Sequence, residues 1–186
     1  MTAVTERRSF TSRQVFRLHA LFRREVGRNV DLVRAVAPDD VERAQVVAAR
    51  VRLVDNAVYR HQCAEDILLW PRLVGDKPSE ADIMVDVMVR QHRALDAMSL
   101  AVQAAILAWE DEATAERRDQ LVDILERFAN ALGEHICATE LFVVPLLERF
   151  LCAADWSGVI RFGLAACDPD TAHHLTALLR EPRESR

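Results

Sequence analysis

The sequence predicts an all-α protein: an antiparallel up-down four-helix bundle over residues 1–154, with a short helical C-terminal appendage over residues 155–186 packing on or near it. Three observations carry that expectation. Ala, Leu and Arg are abundant in a chain of 186 residues that has only five glycines and six prolines, so the backbone preference is helical over most of it. Apolar residues recur every three or four positions over stretches too long to be strands. The breaks between stretches are short, and short connections make neighbouring helices antiparallel, which selects a bundle over an extended coiled coil.

The first helix runs from about Ser12 to Val36, with Val15, Leu18, Phe22 and Val26 on one stripe and Thr11 or Ser12 as its N-cap. Ala37-Pro38-Asp39-Asp40 breaks the pattern, Pro38 as stop and an Asp as the next cap. A second helix covers about Asp40 to Leu73, and Gly75-Asp76-Lys77-Pro78-Ser79 is the clearest loop. The third helix spans about Glu80 to Glu110. An acidic connection, Asp111 to Glu116, leads to the fourth, which ends near Cys152. In the tail, Asp155 or Ser157 begins a short helix, Cys167-Asp168-Pro169-Asp170 is a break, and Thr171 to Leu179 forms a last amphipathic turn or two. Glu181 to Arg186 is polar and expected to fray.

Composition bounds the function. A chain of this length forms one domain with a real core, and 51% hydrophobic against 28% charged residues is an ordinary globular balance. A net charge of -5 argues against nucleic acid as the main partner. No uninterrupted apolar run is long enough for a membrane span. Met1 to Phe10 carries Glu6, Arg7 and Arg8 without an apolar core, unlike a secretory signal. Cys63, Cys137, Cys152 and Cys167 show no CxxC spacing and read as reduced thiols, which makes the cytoplasm the expected location. There is no Ser/His/Asp arrangement and no Gly-rich phosphate loop.

What remains is a set of histidines, one in each of the four helices: His19, His61, His92 and His135. Each lies on an apolar stripe: Leu18 and Phe22 flank His19, Met88 and Leu95 flank His92, and Phe128 and Leu132 precede His135. A lone histidine on an apolar face is more often a hydrogen-bonded core residue. Four, one per helix, with carboxylates nearby, point instead to a metal layer inside the bundle. Glu65 follows His61 by four residues and so shares its face. Glu140 follows His135 by five, about 140° around the helix, and approaches from the side. Asp96, four residues after His92, is a further candidate ligand. Imidazoles with a few carboxylates suit iron, zinc, copper or manganese.

The residues around the ligands read more plainly. Asp66 either accepts a hydrogen bond behind a metal-bound histidine or faces solvent. Tyr59 is expected to pack or lie exposed, with a place beside the metal as the alternative. Cys63 and Cys137 each fall two residues after a histidine, about 200° away, and read as helix-packing residues. Pro71 and Pro145 are expected to end or kink their helices just past the layer. Trp70 and Phe142 are expected to close the apolar layer below it. His173 and His174 read as solvated.

Four segments together resemble the hemerythrin-like (HHE) domain family. They are Leu18-His19-Ala20-Leu21, His61-Gln62-Cys63-Ala64-Glu65 leading to Trp70-Pro71, Gln91-His92-Arg93-Ala94-Leu95-Asp96, and His135 to Pro145. The resemblance covers about Ser12 to Phe150, with all four motifs in order. It implies that His19, His61, Glu65, His92, His135 and Glu140 hold two non-haem iron ions, oxo- or hydroxo-bridged, with Glu65 and Glu140 bridging. The chain departs from the family pattern at Gln62, where many members have a second His, and at Thr139, where many have an acid. A third departure is Asp96, where oxygen carriers have a further His. These departures point away from reversible oxygen carriage and toward chemistry with H2O2, O2 or NO in oxidative or nitrosative stress. The implied partner is one of those small ligands, with the alternative of an iron- or oxygen-sensing module without turnover.

Overall fold

The computed structural model of the protein describes residues 12–74 and 79–165. Most of the loop expected at Gly75 to Ser79, the Thr11 cap, the Cys167 to Asp170 break, the turn at Thr171 to Leu179, His173, His174 and the polar end fall outside the described residues. The described chain is helical. Helix α1 is Arg13–Arg34, and it buries the apolar stripe that includes Val15, Leu18, Phe22, Val26, Val30 and Val33. Ser12 occupies the N-cap position, but its side chain makes no capping bond. Helix α2 begins as Val41–Ala64, capped by Asp40, whose Oδ1 accepts the Arg43 N–H at 3.0 Å. It continues through a π-helical turn, Glu65–Leu69, and closes as Trp70–Leu73.

Helix α3, Glu80–Glu112, is α-helical throughout its 33 residues. Asp82 fixes its start by accepting the Ser79 N–H at 2.6 Å and the Ser79 Oγ–H at 2.7 Å. Helix α4 follows Thr114, whose Oγ1 accepts from the Arg117 N–H at 3.3 Å. It runs as Ala115–Ala138, passes through a second π-helical turn, Thr139–Val143, and ends as Val144–Phe150. Helix α5 is Ala153–Ala165, with Asp155 accepting the Cys152 N–H at 2.8 Å.

Residue pairs between neighbouring helices run in opposite numerical order. Between α2 and α3, Asp66 meets His92, Asp55 meets Ser99 and Arg52 meets Glu110. Between α1 and α4, His19 meets Glu140 and Arg34 meets Glu126. At one end the two connections are tied together by the Asp39 N–H, which donates to the Ala113 carbonyl at 2.9 Å. Trp109, Ile106 and Leu121 fill that half of the core, and Leu69, Trp70 and Met88 fill the half that holds the histidines. Among the described residues no helix is long and apolar enough to cross a membrane.

Pro71 and Pro145 do not themselves end their helices, one of the two outcomes the sequence left open: they stand inside the helical segments Trp70–Leu73 and Val144–Phe150. Each sits just past a π-helical turn, in which Trp70 N–H reaches back to Glu65 and Val144 N–H to Thr139. A proline removes one backbone donor and crowds the carbonyl four residues earlier. Widening the preceding turn takes up both defects while the helical segment continues. The two motifs are in register: His61 and His135 each stand four residues before the first residue of the π turn and ten before the proline. The wide turns therefore carry Glu65, Asp66 and Glu140.

Candidate metal centre

Four helices each contribute one buried histidine to a single layer. His19, His61, His92 and His135 are all between fully buried and 7% exposed, and Glu65, at 1%, lies among them. The amphipathic stripes dictate this: each histidine falls at a core-facing position of its helix, where an apolar residue would otherwise stand. His19 and His61 meet edge to face with ring centroids 5.7 Å apart, and His92 and His135 do the same at 4.7 Å.

Glu65 stands between the two pairs. Its Oε1 is 3.3 Å from His61 Nε2 and its Oε2 is 3.3 Å from His92 Nε2. Two sets of donor atoms close enough to share an ion result: His19, His61 and Glu65, and then Glu65, His92 and His135. The carboxylate is common to both.

Three of the rings are held from outside through Nδ1. His92 Nδ1 donates to Asp66 at 2.8 Å, His135 Nδ1 to Gln91 Oε1 at 3.0 Å, and His19 Nδ1 to Glu140 Oε1 at 3.1 Å. Each acceptor fixes the tautomer that leaves Nε2 facing the layer, the arrangement that metal-binding imidazoles use. His19 Nε2, His61 Nε2 and Glu65 Oε2 are buried and make no hydrogen bond of good geometry. Buried polar atoms left unsatisfied are costly, and a shared cation would satisfy all three. The residues thus fit a metal.

Electrostatics sort the groups. Burial depresses His135 to about 3 and His61 to about 4, so both are neutral near pH 7. His92 goes the other way: burial opposes its charge, but the hydrogen bond to Asp66 and the adjacent Glu65 carboxylate raise it to about 9. Burial also works against ionised Glu65, yet the surrounding imidazoles, His61 foremost, bring it down to about 2.

The remaining sequence candidates take distinct places. Asp66 is the acceptor behind His92. Glu140 enters neither donor set: it pairs with His19 and with the Arg23 guanidinium, at 3.2 Å to each oxygen. Burial would raise its pKa, but these partners hold it low. Asp96 is also outside both sets, one turn beyond His92; its Oδ1 is buried without a partner, and burial raises its pKa. Tyr59 is 42% exposed. Gln62 is buried with no partner for its Nε2, and Thr139 is turned inward, donating to the His135 carbonyl at 3.0 Å. Cys63 is half-buried, Cys137 is exposed, and both are free thiols, as is Cys152.

Trp70 closes the layer as expected, its ring 6.0 Å from that of His92, but Phe142 does not. The π turn carries Phe142 outward, where it is 52% exposed. Two residues went unread in the sequence, Gln91 and Arg23. Arg23 follows His19 by four residues and so shares its face, which is a readable signal. Gln91 offered only its place beside His92. A family model described as the hemerythrin HHE cation binding domain matches residues 12–147. No curated protein and no solved structure matches the chain.

Proposed function

Because the chain belongs to the hemerythrin HHE cation-binding family, we propose that it is a non-haem di-iron protein that binds or reacts with H2O2, O2 or NO. The observation that supports this most is the position of Glu65, one carboxylate between two histidine pairs. His19, His61 and Glu65 would hold one iron; Glu65, His92 and His135 would hold the other. Glu140 would orient His19 instead of bridging, and Asp96 would stay outside. The bundle itself is read as antiparallel and up-down, supported by the opposite order of paired residues along α1 to α4.

Iron bound there supplies an open coordination position and a change of oxidation state toward a small ligand. The chain's own part is positional. Asp66, Gln91 and Glu140 hold the imidazole Nδ1 protons, so that each Nε2 presents a lone pair. Phe22, Trp70 and Met88 exclude water from the layer. Two imidazoles and a shared carboxylate for each ion are few donors, which leaves room for a ligand on both. The decisive experiment is metal content with the absorption spectrum of iron-reconstituted protein. About two irons per chain, with near-ultraviolet bands that shift on adding peroxide or azide, support the reading. No bound iron after anaerobic loading overturns it. Peroxide or NO consumption faster than free iron then identifies an enzyme.

A second reading, an iron or oxygen sensor, draws on α5. That helix packs against α2 and its π turn, and Arg72 of α2 pairs with Asp155 of α5. Occupancy at Glu65 could thereby alter the seat of α5. A melting temperature indifferent to iron would dismiss the sensor.

A further inference from the structure

Helix α3 is apolar on two opposite faces. One face carries Met88, His92, Leu95, Ser99, Val102, Ile106 and Trp109, at alternating three- and four-residue spacing, and is buried in the bundle. The other carries Arg93, Ala97, Leu100, Ala104, Leu107 and Asp111 at the same spacing, and all six are exposed. Leu100 is 69% and Leu107 58% exposed. A seam repeating every seven residues in alternating steps of three and four is the pattern of a coiled coil, and no described helix packs on it.

We infer that this face of α3 pairs with the same face of a second copy of the chain, antiparallel, about a two-fold axis beside Val102. The argument is self-complementarity. In that register Leu100 lies opposite Ala104 and Leu107 opposite Ala97, so every large residue meets a small one. Arg93 lies opposite Asp111, so each end of the seam places a cation against an anion. Two-fold symmetry makes every pair occur twice, which an isologous interface requires. The alanines permit close approach of the helices, and the leucines fill the space they leave. A parallel pairing would set Arg93 against Arg93 and Asp111 against Asp111, which is repulsive. The inference does not depend on iron.

Sedimentation equilibrium of the full-length protein tests it, over a range of about 1 to 200 μM because dimerisation follows mass action. The expected result is a reversible dimer, since one helix pair buries less than a standard interface of about 1,600 Å². Leu100→Glu should weaken association at least ~10-fold, by placing a charge in the buried centre of the seam. Arg93→Asp and Asp111→Arg should each weaken it several-fold, because each sets like charges opposite one another; the combined variant should recover wild-type association. Circular dichroism confirms that these surface variants keep their helicity. A wild-type monomer at the highest concentration overturns the inference, and that is also the result expected if the chain's own tail covers the seam. A dimer indifferent to Leu100→Glu, or charge variants that do not restore one another, overturns it equally.

Discussion

The Nε2 atoms of His92 and His135 stand 3.3 Å apart, while the outer nitrogens of the same two rings are held by Asp66 and Gln91. Two lone pairs at that distance would repel. In the metal-free protein a proton separates them: His92, raised to about 9, is the donor, and His135, depressed to about 3, is the acceptor. A cation entering the layer replaces that proton.

Metal affinity should therefore depend on pH through His92. Below about pH 9 the metal must displace its proton, so apparent affinity should rise about tenfold per pH unit from pH 7 toward 9 and then level off. His61 and His135, neutral above about 4 and 3, add nothing to this slope. Competition with a chromophoric chelator, using Zn2+ to avoid redox change, measures it. An affinity flat from pH 7 to 9 would show that His92 is already neutral.

Asp66 should matter without touching the metal. In Asp66→Asn the acceptor behind His92 loses its charge, so the His92 pKa should fall, visible in the imidazole resonances on titration. Metal affinity should drop by about 10- to 100-fold. Asp66 is 39% exposed, so the fold should survive.

The four helices and the inward-facing histidines were legible because both follow from periodicity: a core-facing position repeats whatever residue occupies it. An Asp cap after Pro38 was legible for the same kind of local reason, and Asp40 takes that place. The π turns were not. Pro71 and Pro145 announce a lost hydrogen bond, but whether the helix bends, stops or widens depends on the packing on its far side. That choice moved Phe142 outward, and it left Glu140 beside Arg23 rather than between the histidine pairs. Gln91 as a partner for His135 is a contact between helices, which spacing along one chain segment does not encode.

Stability of the metal-free protein should peak near neutral pH. His61 and His135 are lowered from 6.5 to about 4 and 3, so the folded state binds fewer protons than the unfolded one in that window. Their contribution is complete above about 6.5 and is lost as pH falls toward 4 and 3. Glu65, lowered from 4.5 to about 2, adds to the acid loss. His92 has the opposite sign: raised from 6.5 to about 9, it stabilises below 6.5, and that contribution is lost as pH rises through 9. Thermal melts in the presence of a chelator should give a maximum between the two limbs. A melting temperature unchanged from pH 4 to 7 would contradict the neutral burial of His61 and His135.

Glu65 and Glu140 should part company on substitution. Glu65 is 1% exposed and belongs to both donor sets, so Glu65→Gln should empty both positions, leaving far fewer than one iron per chain. Among the described residues Glu140 pairs with His19 Nδ1 and Arg23, and a glutamine oxygen can still accept from His19. Glu140→Gln should therefore retain both irons, with affinity reduced about 10-fold as for loss of a supporting carboxylate. Metal analysis of the two variants after identical loading separates a shared ligand from a supporting one. Loss of one iron in Glu140→Gln would mean that its side chain swings away from Arg23 to bind metal.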